Sequence, residues 1–270
     1  MKRVAIIGCG AIGSEIVKAI DEGYVKAELV ALYDIVKDKC IELKNRLSKC
    51  NPSIVSSLDE LLQLKPDVVV EAASQDAVKE YGERILRAGS WLVVLSVGAL
   101  MDESVRVKLE KAATEGNAFI FVPSGAIAGI DAIKALRRAG IDRIVLRTRK
   151  NPKSIKPSDV IRFDPSKVSQ PTVVYRGKAS EAVKVLPFNV NVSATLSLAS
   201  GMDIEVEVIA DPQIDRNVHE ILVESKASNI SIRVENVPSP SNPRTSYLAS
   251  LSAIELLKKL CNEERLIIGL

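Results

Sequence analysis

Two groups of residues in this chain have the types and spacing to do chemistry. The first is Gly8-Cys9-Gly10-Ala11-Ile12-Gly13, a G-x-G-x-x-G turn, with Asp34 lying 21 residues beyond its last glycine. Gly8 permits a tight turn, Gly10 lets a pyrophosphate approach the backbone, and Gly13 lets a helix pack close to the preceding strand. Ala11 and Ile12 open that helix, whose unpaired N–H groups and dipole favour phosphate. A carboxylate about 20 residues further on is where a dinucleotide's ribose hydroxyls are held. The implied chemistry is the binding of a nicotinamide dinucleotide. Asp34 favours NAD, while Lys37 and Lys39 leave NADP open.

The second group lies in the other half of the chain. His219 is the single histidine, and its ordinary pKa of about 6.5 suits proton transfer near neutrality. Strand alternation puts it on the face of Ile221 and Val223, with Glu220 opposite. The pattern alone favours a satisfied core imidazole over a general acid or base. Asn189, in Leu186-Pro187-Phe188-Asn189, reads as a helix N-cap or as an amide offered to the cofactor or substrate. Ser124-Gly125-Ala126-Ile127-Ala128-Gly129 reads equally as an anion-binding helix start and as a tight turn between domains.

These residues need a scaffold, and its pattern is regular up to Val122. The apolar run Val4-Ala5-Ile6-Ile7 precedes the glycine turn, and Ile12, Ile16, Val17 and Ile20 follow at helical spacing. Further strands are expected at 28–34, 68–74, 91–95 and 119–122, with helices at 37–48, 75–88 and 102–115. Ser57-Leu58-Asp59-Glu60 fits a capping box for a short helix. This alternation predicts a Rossmann-type α/β domain, a doubly wound parallel sheet, over 1–123. Residues 124–243 predict a second, α+β domain on a mostly antiparallel sheet, with strands at 141–148, 172–175, 204–210, 218–226 and 229–235. Residues 151–170 read as a mobile loop, 237–244 as a stiff proline linker, and 244–270 as a tail whose helix, 245–261, packs back on the first domain.

Composition narrows the function. Hydrophobic residues make up 47%, and 37 basic residues against 34 acidic give a net charge of +3. Without a basic stripe or interleaved aromatics, nucleic acid is not an expected partner. No apolar run is long enough for a membrane span, and the first strand accounts for the short run after Lys2-Arg3. Cys9, Cys40, Cys50 and Cys261 contain no C-x-x-C spacing, so a disulfide framework is not expected. One histidine makes no metal cluster. A reducing cytoplasm is the expected location.

Taken together, several stretches resemble the L-aspartate dehydrogenase family. They are the glycine turn, Val70-Glu71-Ala72-Ala73-Ser74, Ser96-Val97-Gly98-Ala99-Leu100, Pro123 through Gly129, Asn189-Val190-Asn191-Val192-Ser193-Ala194, and Asp211-Pro212 through His219-Glu220. The resemblance implies interconversion of L-aspartate with oxaloacetate and ammonia through iminoaspartate, using NAD or NADP. In many members the iminoaspartate feeds de novo NAD synthesis. By resemblance, His219 matches the active-site histidine, and Ala126 and Asn189 match positions that contact the nicotinamide cofactor. Members are homodimers joined through the second domain's sheet. Arg147, Arg149 and Arg162 are candidate partners for the substrate carboxylates. Homoserine dehydrogenase and dihydrodipicolinate reductase share this layout, although the paired histidine and lysine motif of the reductases is not found. A non-catalytic nicotinamide-binding sensor is the remaining alternative.

Overall fold

The structure, a computed structural model, describes residues 1–155, 160–186, 190–239, 242–262, 265, 266 and 268. The described residues form two compact units, one of 1–123 with those from 249 on, the other within 124–248.

The first unit alternates strand and helix. Its elements are β1 (Lys2–Ile7), α1 (Ala11–Asp21), β2 (Ala27–Tyr33), α2 (Lys37–Lys44), β3 (Ser53–Ile54) and α3 (Leu58–Gln63). Then come β4 (Val68–Glu71), α4 (Gln75–Arg87), β5 (Trp91–Val94), a 3-10 turn Val97–Met101, α5 (Glu103–Glu115) and β6 (Ile120–Phe121). The six strands are parallel in the order β3-β2-β1-β4-β5-β6. Val4 through Ile7 and Val68 through Glu71 are buried throughout, as strands covered on both faces must be. Helix starts are capped by side chains: Ser57 Oγ accepts from Glu60 N, Ser74 Oγ from Ala77 N, and Asp102 from Ser104 N. Glu60 reaches back to Ser56 N, one residue outside the expected capping box.

Helix α2 ends at Lys44, short of the expected residue 48. The reason is Asp21, at the end of α1 and 6% exposed. Its carboxylate accepts from Ser48 N and Oγ, Lys49 N and Cys50 N, at 2.7–2.9 Å. Backbone donors turned toward Asp21 cannot serve a helix. These bonds, that of the Ser48 N–H foremost, hold the Asp21 carboxyl well below the usual carboxylate range.

The second unit contains α6 (Ile130–Leu136), β7 (Ile141–Lys150), β8 (Thr172–Lys178), α7 (Ala179–Val185), α8 (Val190–Ser200), β9 (Glu205–Ala210), β10 (Asn217–Ser225) and β11 (Ile230–Asn236). Its five-stranded sheet runs β11-β10-β7-β9-β8, antiparallel except for the β7–β9 pair. The proline-rich stretch after Val237 is not a linker. Pro238–Ser239 (β12) pairs antiparallel with Asn242–Ser246 (β13). Pro238 is tolerated because it opens a two-residue strand. The described parts of 151–170 are anchored rather than loose: Pro152, Ile155 and Ile161 are buried. Residues 156–159 lie outside the described residues. Helix α9 (Tyr247–Cys261) places Ala253, Ile254, Leu257 and Cys261 in the core of the first unit, with Val4, Ile6, Val68 and Val70.

Candidate active site

In the first unit the glycine turn sits at the carboxyl end of β1. Gly8 has φ +98°, and a Cβ there would lie 2.5 Å from the Ala72 carbonyl oxygen. A Cβ on Gly13 would lie 1.9 Å from the Gly8 carbonyl oxygen. A Cβ on Gly10 would meet no protein atom within 4 Å, so there the backbone borders open space. Gly10 starts α1 without a side-chain cap, and the first-turn N–H groups have no intrahelical acceptor. The Asp34 side chain is 8% exposed and lies near Lys39 Nζ, at 3.9 Å. It accepts from Cys9 N at 2.8 Å and Val36 N at 2.9 Å, which fixes it beside the turn. These residues fit a dinucleotide: donors for phosphate, clearance at Gly10, and an oriented carboxylate for ribose.

A second buried acid braces this end of the sheet. Glu71, 1% exposed at the end of β4, accepts from Ala73 N, Ser74 N, Ser96 N and Ser96 Oγ at 2.8–3.0 Å. Burial pushes its pKa up, against the pull of these four donors. Glu71 thereby clamps the loops after β4 and β5, where ligands of such sheets bind.

In the second unit the register assembles a polar row on one sheet face. His219 pairs with Thr148 on β7 and with Val234 on β11, so these three share a face. His219 Nδ1 lies 3.0 Å from Thr148 Oγ1. Two residues further along β7 comes Lys150, 6% exposed, and two further along β11 comes Asn236, 3% exposed. Asn236 Nδ2 donates to the Ala126 carbonyl at 3.1 Å, while its Oδ1 has no hydrogen-bond partner among the described residues. The turn 124–129 is therefore held by the sheet, and the helix that follows it, α6, has only seven residues.

His219 is 1% exposed. Burial first, and then the charge of Lys150, push its pKa down to about 4. The expectation of a ring titrating near neutrality is thus corrected, because the imidazole is neutral at pH 7. Burial also pulls Lys150 down to about 8. The ring is sealed from water in this structure. It is nonetheless not sealed among aliphatics alone, because Thr148 bonds to it and Lys150 acts on its charge.

Two of the three candidate arginines are excluded by the same register. Arg147 and Arg149 alternate with Thr148 and point to the opposite face. There Arg147 pairs with Glu207 at 2.9 Å, and Arg149 with Glu220 at 3.0 Å and Asp211 at 3.3 Å. Arg162 is exposed. Asn189 lies outside the described residues; Ala126 is buried, and its carbonyl is bound by Asn236. Thr148, Lys150, Asn236 and Glu71 were not anticipated as site residues. Alternation from His219 could have found Thr148 and Lys150 only with the pairing of β7 and β10, 71 residues apart, already in hand. Among the described residues, no group of His, Cys, Asp or Glu could hold a metal ion, and no helix is long and apolar enough to cross a membrane.

Comparison with known proteins addresses both halves. Residues 131–260 match the family model for the aspartate dehydrogenase C-terminal domain, and 8–123 match that for the homoserine dehydrogenase NAD-binding domain. The L-aspartate dehydrogenase of Methanosarcina acetivorans is 46% identical over 268 residues, covering 97% of this chain and 98% of that protein. That of Methanocaldococcus jannaschii is 40% identical over 262 residues, with 96% and 97% covered. The crystal structure of aspartate dehydrogenase from Thermotoga maritima superposes with a TM-score of 0.76 at 29% identity, covering 100% of both chains.

Proposed function

The chain belongs to the aspartate dehydrogenase family, and from that premise we propose that it oxidises L-aspartate to iminoaspartate, which hydrolyses to oxaloacetate and ammonia, and that it runs the reverse amination. The observation that carries this reading is the family match over 131–260, the stretch that supplies Thr148, Lys150, His219 and Asn236. The homoserine dehydrogenase match covers the nucleotide half alone.

A bound nicotinamide cofactor supplies the redox chemistry by accepting hydride from the substrate Cα. The chain's own residues do the rest. Gly8, Gly10, Ala11, Ile12 and Gly13 receive the pyrophosphate, and Asp34 receives the ribose. Loss of hydride from Cα and of a proton from nitrogen leaves a C=N bond, to which water adds. The carbinolamine then expels ammonia. His219 takes the proton of the adding water and returns one to the departing nitrogen. Such acid–base assistance is worth about 10²–10⁴-fold. Thr148 Oγ1 fixes the ring through Nδ1. By the family resemblance, Ala126 and Asn189 match positions that contact the nicotinamide cofactor.

The reading extends to a homodimer joined through the second sheet, to iminoaspartate supplied for de novo NAD synthesis, and to a cytoplasmic setting, which the four free cysteines support. Purified protein mixed with NAD or NADP and L-aspartate at alkaline pH will raise the absorbance of reduced cofactor. Turnover of homoserine but not of aspartate defeats the proposal. So does cofactor binding with no amino-acid turnover, which would identify a sensor. The same assay decides between NAD and NADP.

A further inference from the structure

Two sulfurs meet behind the turn that receives the dinucleotide. Cys9 stands between Gly8 and Gly10, and Cys40 lies on α2, 31 residues further on. Both are buried in the core of the first unit, and their Sγ atoms are 3.3 Å apart. A thiol is a weak donor and a weak acceptor, so two aliphatic side chains would fill this place equally well. What sulfur adds is a bond it can form. A closure of roughly 1.2 Å brings the pair to the ~2.05 Å of a disulfide.

The pair is tied to the groups that hold the cofactor. Cys9 N–H donates to Asp34 Oδ2 at 2.8 Å, and the Asp34 charge acts on both sulfurs. Asp34 and Cys40 share one short stretch, in which Val36 N–H donates to Asp34 Oδ1 at 2.9 Å. Toward β4 the turn has no slack, since a Cβ on Gly8 would lie 2.5 Å from the Ala72 carbonyl oxygen. Drawing the sulfurs together therefore moves the Cys9 N–H off Asp34, or moves α2 and with it the Asp34 stretch. In either case the phosphate donors and the ribose carboxylate lose their relative placement.

We propose that Cys9 and Cys40 form a reversible disulfide when the dinucleotide is absent, with a peroxide as oxidant, and that this bond weakens cofactor binding. The Cys9 sulfur attacks the peroxide: an S–O bond forms, the O–O bond breaks and one water leaves. The Cys40 sulfur then attacks the Cys9 sulfur: the S–S bond forms, the S–O bond breaks and a second water leaves. Each sulfur gives up one electron and one proton, and the peroxide takes both pairs. Burial keeps the two thiols protonated, so the reaction is slow and waits on opening of the turn. A bound dinucleotide holds the turn shut, and by reciprocity whatever bond weakens the cofactor is itself opposed by the cofactor. Transient disulfides of this kind are the ones a reducing compartment permits. The proposal rests on dinucleotide binding at the turn and not on the identity of the substrate.

The test treats the reduced full chain with hydrogen peroxide, with and without saturating reduced cofactor, and reads the link by mass in a non-reducing peptide map. A linked Cys9–Cys40 peptide is expected, and cofactor is expected to slow its appearance. The Kd of the linked protein for reduced cofactor is expected to rise by roughly 10-fold and to return with dithiothreitol. Cys40→Ala and Cys40→Ser are expected to keep their cofactor affinity through the same treatment, and Cys50→Ser to respond like wild type. Melting temperatures monitor folding, and two variants at Cys40 guard against one that folds poorly. A wild type that yields no linked peptide overturns the proposal. So does a link that forms equally fast with cofactor bound, or one that leaves the Kd unchanged. An equal loss of affinity in the Cys40 variants places the effect at another residue and overturns it too. The link is read without turnover, so it stands or falls apart from the activity toward L-aspartate.

Discussion

In the parallel sheet, β1 and β4 bury apolar side chains on both faces, and polar work is confined to the carboxyl ends of β1, β2 and β4, where Gly10, Asp34 and Glu71 lie. In the second sheet, the same strands carry opposite duties on their two faces. One face of β7, β9 and β10 is a lattice of ion pairs, Arg143–Glu205, Arg147–Glu207 and Arg149–Glu220. The other carries His219, Thr148 and Lys150 among aliphatics. The first arrangement binds through backbone and geometry, and it needs only a continuous stretch of chain. The second works through side chains brought together by register, and a slip of one residue would exchange the two faces.

The comparison breaks most sharply at the imidazole. His219→Ala is expected to lower kcat by about 10²–10⁴-fold while cofactor affinity, a property of the first sheet, stays as in wild type. Stopped-flow titration with reduced cofactor beside steady-state kinetics checks this, and a variant that retains most of its kcat removes the acid–base role.

The buried row also makes stability depend on pH. His219 titrates at about 4 in the folded chain against an ordinary 6.5. Unfolding therefore takes up a proton between these values, and the neutral ring's contribution, present above pH 6.5, is lost as pH falls toward 4. Lys150, at about 8 against 10.5, likewise gives a stability that rises with pH from about 8 to 10.5. Each is worth about 3 kcal/mol. Urea unfolding of wild type and His219→Gln across pH 4–7 will show the difference, and parallel curves would contradict it.

Asp21 sharpens the contrast from the other sheet. Asp21→Ala leaves backbone donors of residues 48–50 without their acceptor, and is expected to cost about 2–3 kcal/mol in urea unfolding, with little change in KM. Arg147→Met should matter least. It removes one half-exposed ion pair, so stability falls by roughly 0.5–1 kcal/mol and the KM for L-aspartate stays within about twofold. A large KM effect would return Arg147 to the substrate site.

The contrast also explains what the sequence disclosed. The glycine spacing, the acid after β2 and the continuous valine runs are local signals, and the parallel order of strands follows from them. Ser57 marked a helix start by short-range chemistry. The end of α2 could not be read, since it depends on Asp21, 27 residues before Ser48. Strands β12 and β13 were hidden because three prolines argued for a linker, and pairing is a property of two segments. On the buried face of the second sheet the sequence singled out His219 alone; the depression of its pKa comes from burial and from Lys150, which belong to the folded sheet. Arg147 and Arg149 stood as candidates for the substrate carboxylates until alternation could be counted from a known partner.

Helix α9 has a consequence for how the protein is made. Leu257 and Ile254 complete a core whose other wall begins at Val4 and Ile6, yet the ribosome delivers them only after the entire second unit has been translated. The nascent nucleotide-binding half therefore keeps one side of its interior open to water until Ile254 and Leu257 have left the ribosome.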